Sequence, residues 1–356
     1  MAEIVAGSPT PQPTPQRCPS PTHLVVVAHG LHGSPASCVS IKTAILEAHP
    51  GVLVHLSACS ETTLTRLWAT TDGVDAGGDR LAREIRDLLR AHTSVSLLSL
   101  VGISLGGLYT RAALRYIADL PLGLVNYITF ATPHVGVRDH LGFVIETAVR
   151  WGIVGLTGAE LLLADAPIVR EGCGDEPLPF LAWMAHPASP HAQVLKRFAH
   201  RTLVANVESD DKVPHWSAAL FCGGAPVLAA LASQDPSGYR REPPLGQALP
   251  GDFPHVASVF RLPSPATETS TSTREAEGVA PASSDAAAGS EGSIESTLVA
   301  QLRSIGEWTN VEVLFQEPGA FILNHMRVAD ARPWLTSVGS DVPRFVARHH
   351  FGVGTA

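Results

Sequence analysis

Leu98-Ser99-Leu100-Val101-Gly102-Ile103-Ser104-Leu105-Gly106-Gly107-Leu108 is the stretch whose reading decides the fold. An apolar, β-prone run ends in Gly-x-Ser-x-Gly, and a helix-prone run follows from Leu108 to Ala118. Strand, Gly-x-Ser-x-Gly, helix is the setting in which that pentapeptide makes a nucleophile elbow. The turn is so tight that the residues two before and two after the serine must lack bulk. Glycine at 102 and 106 removes the Cβ that would collide with the neighbouring strand and helix. Ser104 then stands at the carboxyl end of a strand, facing the unpaired N–H groups that open a helix.

Outward from the elbow the chain alternates. His23 to Ala28 is a short apolar run of the kind buried on both faces of a parallel sheet, and it leads into His29-Gly30-Leu31-His32-Gly33. A helix is expected over Cys38–Ala48 and a strand over Val52–Leu56. Asp79 can cap a further helix, on which Leu81, Ile85, Leu88 and Leu89 form an apolar stripe. After the elbow come strands at Val125–Phe130, Thr202–Val207 and Asn310–Phe315, with helices expected at Ile294–Ile305 and Val342–Phe351. Alternating strands and helices imply a mostly parallel, doubly wound α/β sheet, whose ligands bind outside the carboxyl ends of the strands.

The stretch from Thr132 to about Arg201 departs from this alternation. Leu141–Leu163 reads as one or two apolar helices, and Pro177-Leu-Pro-Phe-Leu-Ala-Trp183-Met184 adds exposed-looking bulk. An inserted helical lid or cap over about 138–200 is one reading; helices that simply pack on the sheet are the other. Residues 263–292 are rich in Ser, Thr, Ala, Glu and Gly, which predicts a disordered loop. The opening 1–21, with Pro9, Pro11, Pro13, Pro15, Pro19 and Pro21, predicts a disordered tail. The rest, 22–356, is expected to form a single domain.

Composition narrows the function classes. Acidic residues outnumber basic ones by 33 to 25, so no electrostatic footprint for nucleic acid is present. The cysteines (Cys18, Cys38, Cys59, Cys173, Cys222) form no CxxC pair, which argues for a reducing compartment and against a disulfide framework or a zinc site. The start lacks a basic segment followed by an apolar core, so no secretory signal is expected there. The nearest approach to a membrane span, Leu141–Leu163, is interrupted by Glu146, Arg150 and Glu160. A cytoplasmic protein is expected.

A serine hydroxyl needs a base to take its proton, and the base needs an acid to hold its tautomer. In the α/β-hydrolase arrangement these follow in the order Ser, Asp or Glu, His, each after a strand. Ser104, then Asp210 after the Thr202–Val207 strand, then His325 beyond the Asn310–Phe315 strand satisfy that order. Asp211 competes with Asp210, since adjacency defeats topology. His349 and His350 rival His325 but lie in an expected helix. His29 and His134 sit at strand ends, where structural hydrogen bonds are the commoner role. Asp165 and Asp252 follow no strand. An oxyanion hole needs the N–H after the nucleophile, Leu105, and one from an early loop, for which Leu31 is the candidate.

His29-Gly30-Leu31-His32-Gly33, Gly102-Ile103-Ser104-Leu105-Gly106-Gly107-Leu108-Tyr109-x-Arg111 and Thr129-Phe130-Ala131-Thr132-Pro133-His134-x-Gly136 together resemble the serine esterase/lipase family of yeast Rog1-like lipases and FAM135 proteins. Asn206-Val207-x-x-Asp210-x-x-Val213-Pro214 and Asn324-His325 agree as well. The resemblance implies an α/β-hydrolase fold with Ser104 as nucleophile, Asp210 as acid and His325 as base, and alignment on Val213-Pro214 favours Asp210 over Asp211. It also implies acyl glycerols or phospholipids as substrates. The family's usual block has histidine where Ile103 stands.

The expectation is therefore a serine hydrolase of carboxylic esters, lipid acyl esters in particular, needing no cofactor or metal. An apolar lid opening at a lipid surface would bring it into transient contact with a membrane or lipid droplet. Acyl transfer or thioester hydrolysis with the same residues, or a non-catalytic binding domain of the same fold, are the alternatives.

Overall fold

The computed structural model describes residues 20–61, 70–138, 140, 155–207, 210–221, 253–262, 293–315, 324–331 and 339–354. Strand β1, His23–Ala28, is buried along its whole length. Leu24 and Val26 point to one side, where they meet Leu81, Ile85, Leu108 and Tyr109. Val25 and Val27 point to the other, where they meet Ile41, Ile45, Phe345 and Val346. Period-two alternation with both faces apolar is what a sheet covered by helices on both sides requires. Each fully buried Leu or Val contributes about 1.5–3 kcal/mol.

Strands β1, β2 (Leu53–Leu56), β3 (Leu97–Ile103), β4 (Gly123–Phe130), β7 (His200–Asn206), β8 (Val256–Leu262) and β9 (Trp308–Val313) form one sheet in the order β2-β1-β3-β4-β7-β9-β8. The pairings from β2 to β9 are all parallel. Helices α1 (Val39–Ala48), α2 (Val74–Ala91) and α3 (Leu105–Ala113) provide the early crossovers. This is the α/β-hydrolase architecture expected of the elbow, with β3 third from the β2 edge of the sheet.

Four local expectations need correction. The helix expected from Asp79 begins at Val74. Its opening N–H groups are held from a distance: Gly73 N donates to Thr157 Oγ1 at 3.0 Å and Val74 N to Glu160 Oε2 at 2.6 Å. Both acceptors lie on α4, Gly155–Leu161, so no local cap marks the start. The helix after the elbow starts at Leu105 rather than Leu108 and tightens to a 3₁₀ turn at Leu114–Ile117. Strand β8 was not expected; it runs antiparallel to β9 at the sheet edge.

The fourth concerns the 138–200 segment. Phe180, Leu181, Trp183 and Met184 are buried, not exposed. They lie on α5, Phe180–Ala185, which joins α6, Pro190–Leu195, in the core cluster under α3. Between α4 and α5 a two-stranded ribbon, β5 (Ile168–Val169) with β6 (Pro177–Leu178), crosses the surface. Of the lid expected over about 138–200, residues 139 and 141–154 lie outside the described residues, as do the tail at 1–19 and the loop at 263–292. Among the described residues no helix is long and apolar enough to cross a membrane.

Candidate active site

Ser104 is the residue between β3 and α3, with φ 53° and ψ −125°, a conformation that costs an L-residue about 1–3 kcal/mol. The glycines on either side make it sterically feasible. A Cβ on Gly102 would stand 2.3 Å from Gly107 Cα on the helix, and one on Gly106 would stand 2.2 Å from the Ala28 carbonyl oxygen on β1. The strained residue is fixed from three directions. Ser104 N donates to Phe130 O at 2.8 Å, Gly107 N donates to Ser104 O at 3.0 Å, and Thr132 Oγ1 donates to Ser104 O at 2.9 Å.

β9 returns the chain to the same sheet end, and a short helix, Asn324–Arg327, carries His325. His325 Nε2 lies 2.8 Å from Ser104 Oγ, and Nδ1 lies 3.1 Å from each oxygen of Asp210. A carboxylate only accepts, so the ring proton sits on Nδ1 and Nε2 is free to accept from the serine hydroxyl. Asp210 follows β7 and is buried; Lys212 N and Val213 N donate to its Oδ1, both at 3.0 Å. Asn206 Nδ2 donates to Oδ2 at 2.8 Å, and His140 Nε2 donates to the Asp210 carbonyl at 3.0 Å.

The electrostatics of the pair agree. Burial alone would lower the His325 pKa, but the Asp210 charge and hydrogen bond outweigh it and hold the imidazole above its ordinary value. Burial alone would raise the Asp210 pKa, but His325, Asn206 and the Val213 N–H outweigh it and hold the carboxyl below its ordinary value. Both shifts favour an ionised acid beside a protonatable base.

The competing residues lie elsewhere. Asp211 pairs with Lys212 Nζ. Asp165 accepts from Phe180 N at 2.8 Å, at the start of α5. His134 is buried against Thr129 Oγ1 at 2.9 Å, and burial drives its pKa well down. His29 Nδ1 donates to Gly30 O at 3.0 Å, and burial lowers its pKa too. His349 and His350 pack against Phe345 on the opposite side of the sheet from α3; burial takes His350 down to about 4. Asp252 lies outside the described residues. Ile103 is buried in the same core cluster as Phe130 and Val204, so its side chain serves packing.

The early loop reaches the serine. A Cβ on Gly30 would lie 2.9 Å from Ser104 Cβ and 3.4 Å from its Oγ, so the loop that bears Leu31, the next residue, runs against Ser104. Leu105 is the first residue of α3, where helix N–H groups have no intrahelical partner. Thr132, Asn206 and His140 are site residues to which sequence reasoning assigned no role. The signal for Asn206 was its place at the end of a strand, four residues before the acid. Among the described residues no three His, Cys, Asp or Glu side chains gather as a metal site would need.

A mostly parallel sheet, a serine on a strained strand-to-helix turn, and an aspartate and a histidine after later strands define the α/β-hydrolase fold. Residues 19–223 match the family model described as "Putative serine esterase (DUF676)", and the chain belongs to that family. It is 32% identical over 216 residues to "Putative lipase ROG1" of Saccharomyces cerevisiae, covering 58% of this chain and 29% of that protein. It is 30% identical over 216 residues to a "Putative lipase" of Schizosaccharomyces pombe, covering 56% and 26% respectively. The chain thus spans less than a third of the length of these two relatives. Among solved structures, Aspergillus fumigatus lipase B is similar at 14% identity and a TM-score of 0.34, over 55% of this chain and 39% of that one.

Proposed function

We propose that this chain hydrolyses carboxylic esters, lipid acyl esters in particular, through an acyl-enzyme on Ser104. His325 Nε2 takes the hydroxyl proton as Oγ attacks the acyl carbonyl, and Asp210 stabilises the imidazolium that forms. The N–H groups of Leu105 and Leu31 receive the developing oxyanion; each such donor is worth about 10²–10³ in rate. The imidazolium then gives its proton to the leaving alkoxide. Water, deprotonated by the same nitrogen, attacks the acyl carbon and frees Ser104. The observation that carries this reading is the continuous Ser104–His325–Asp210 hydrogen-bond chain ending on a strained serine. The lipase names of the relatives support the lipid acyl class.

The pH profile tests it. Only neutral His325 can accept the proton, so kcat/KM falls as pH drops through the free-enzyme pKa of His325. That pKa is raised, so the acid limb is expected above the ordinary imidazole value of about 6.5. Asp210→Asn removes the charge and leaves burial dominant, which moves the limb below that value. Near pH 8 the same variant is expected to lose about 10⁴-fold in kcat. Stopped or continuous hydrolysis of a soluble p-nitrophenyl ester across pH 5–9 measures both. An unmoved limb with near-normal kcat in Asp210→Asn would remove Asp210 from the mechanism.

A further inference from the structure

Acid and base reach the serine on separate loops, one after β7 and one after β9. Besides the Asp210–His325 hydrogen bonds themselves, a buried amide bonds to both loops. Asn206, the last residue of β7, is 3% exposed. Its Nδ2 donates to Asp210 Oδ2 at 2.8 Å and to the main-chain carbonyl of Asn324 at 3.2 Å. Asn324 immediately precedes His325. The other backbone donors to Asp210, Lys212 N and Val213 N, come from its own loop and both go to Oδ1. Oδ2 is therefore tied to the sheet through Asn206.

The anchor itself is stiff. β7 is paired in parallel with β4 on one side and β9 on the other, and Asn206 stands in register with Val313. Val207 N extends that pairing by donating to Val313 O at 2.9 Å. A carboxylate held only at one oxygen can swing about its side-chain bonds; held at both, it keeps its plane toward His325 Nδ1. An amide donor also favours the ionised carboxylate against the burial that opposes it.

We propose that Asn206 is a positioning residue for ester hydrolysis, clamping the Asp210 carboxylate to the main chain that bears His325; this rests on the Ser104–His325–Asp210 reading above. Displacements of about 1 Å in such a constellation cost on the order of 10²-fold.

The test compares wild type, Asn206→Ala, Asp210→Ala and the double variant on a soluble p-nitrophenyl ester, with pH profiles and thermal melts. Asn206→Ala is expected to lower kcat by about 10–100-fold with KM little changed, and to move the acid limb to lower pH as the hold of Asp210 on His325 weakens. In the Asp210→Ala background the same substitution is expected to cost less than about threefold, because groups that act as a unit are not additive. Asn206→Asp fills the same volume without the donor, so it carries the test if the alanine variant fails to fold; its kcat is expected to fall at least as far. Wild-type kcat in Asn206→Asp, or a loss undiminished in the Asp210→Ala background, would overturn the proposal. An Asp210→Ala variant that itself keeps near-wild-type kcat would instead overturn the underlying triad reading.

Discussion

Ser104→Ala is expected to lower kcat for ester hydrolysis by about 10⁶-fold, the cost of deleting the nucleophile of a serine triad. The size follows from what is lost. Without Oγ no acyl-enzyme can form, and His325 Nε2, 2.8 Å from that oxygen, has no hydroxyl proton to take. The rate that remains, about 10³–10⁴-fold above the uncatalysed reaction, would come from binding and the oxyanion donors alone. KM is expected to change little, since the hydroxyl contributes to the reaction more than to ground-state binding. The fold is expected to persist: the backbone bonds that hold residue 104, from its N–H to Phe130 and to its carbonyl from Gly107 and Thr132, do not involve the side chain. Steady-state kinetics with a circular-dichroism melt on the same sample checks both halves.

Gly106→Ala is expected to damage stability and activity together. The added methyl would stand 2.2 Å from the Ala28 carbonyl oxygen and 2.6 Å from that of His29, so main chain must move. Overpacking of this kind costs about 1–3 kcal/mol. For a chain this long that corresponds to a melting temperature lower by roughly 1–4 °C. The backbone that must yield is the end of β1, which leads into Gly30 and Leu31 beside the serine. A shift of about 1 Å in the oxyanion loop would cost on the order of 10²-fold in kcat. Differential scanning fluorimetry and kcat on the purified variant measure the two effects. A variant that melts and turns over like wild type would mean that the close approach of helix and strand at Gly106 is not needed.

Much of this architecture is legible before any coordinates. β1 and the elbow strand β3 are continuous apolar runs because helices cover both faces, so their positions can be read directly. Ser104 and His325 follow from chain order and strand ends, Asp210 over Asp211 only from the resemblance at Val213-Pro214, and the structure brings the three side chains within hydrogen-bonding distance in sequence. What escaped is what depends on distant partners. The start of α2 is held by Thr157 and Glu160, more than eighty residues away, so the local signal at Asp79 misled. Strand β8 is an antiparallel edge strand bearing Ser258 and Arg261 among its apolar residues, and it has no crossover pattern to announce it. Phe180 and Trp183 look like exposed bulk in sequence because the surface that buries them, under α3, is assembled from other segments. Asn206 was visible as a strand-end residue, but only coordinates bring its amide to Asp210 and Asn324.

The most direct test of the central claim is covalent. Treating the protein with a fluorophosphonate at neutral pH, digesting it and locating the adduct by tandem mass spectrometry asks which oxygen is activated. One adduct is expected, on Ser104, absent in Ser104→Ala and formed far more slowly in His325→Ala. An adduct on another residue, or ester hydrolysis that survives intact in Ser104→Ala, would contradict it.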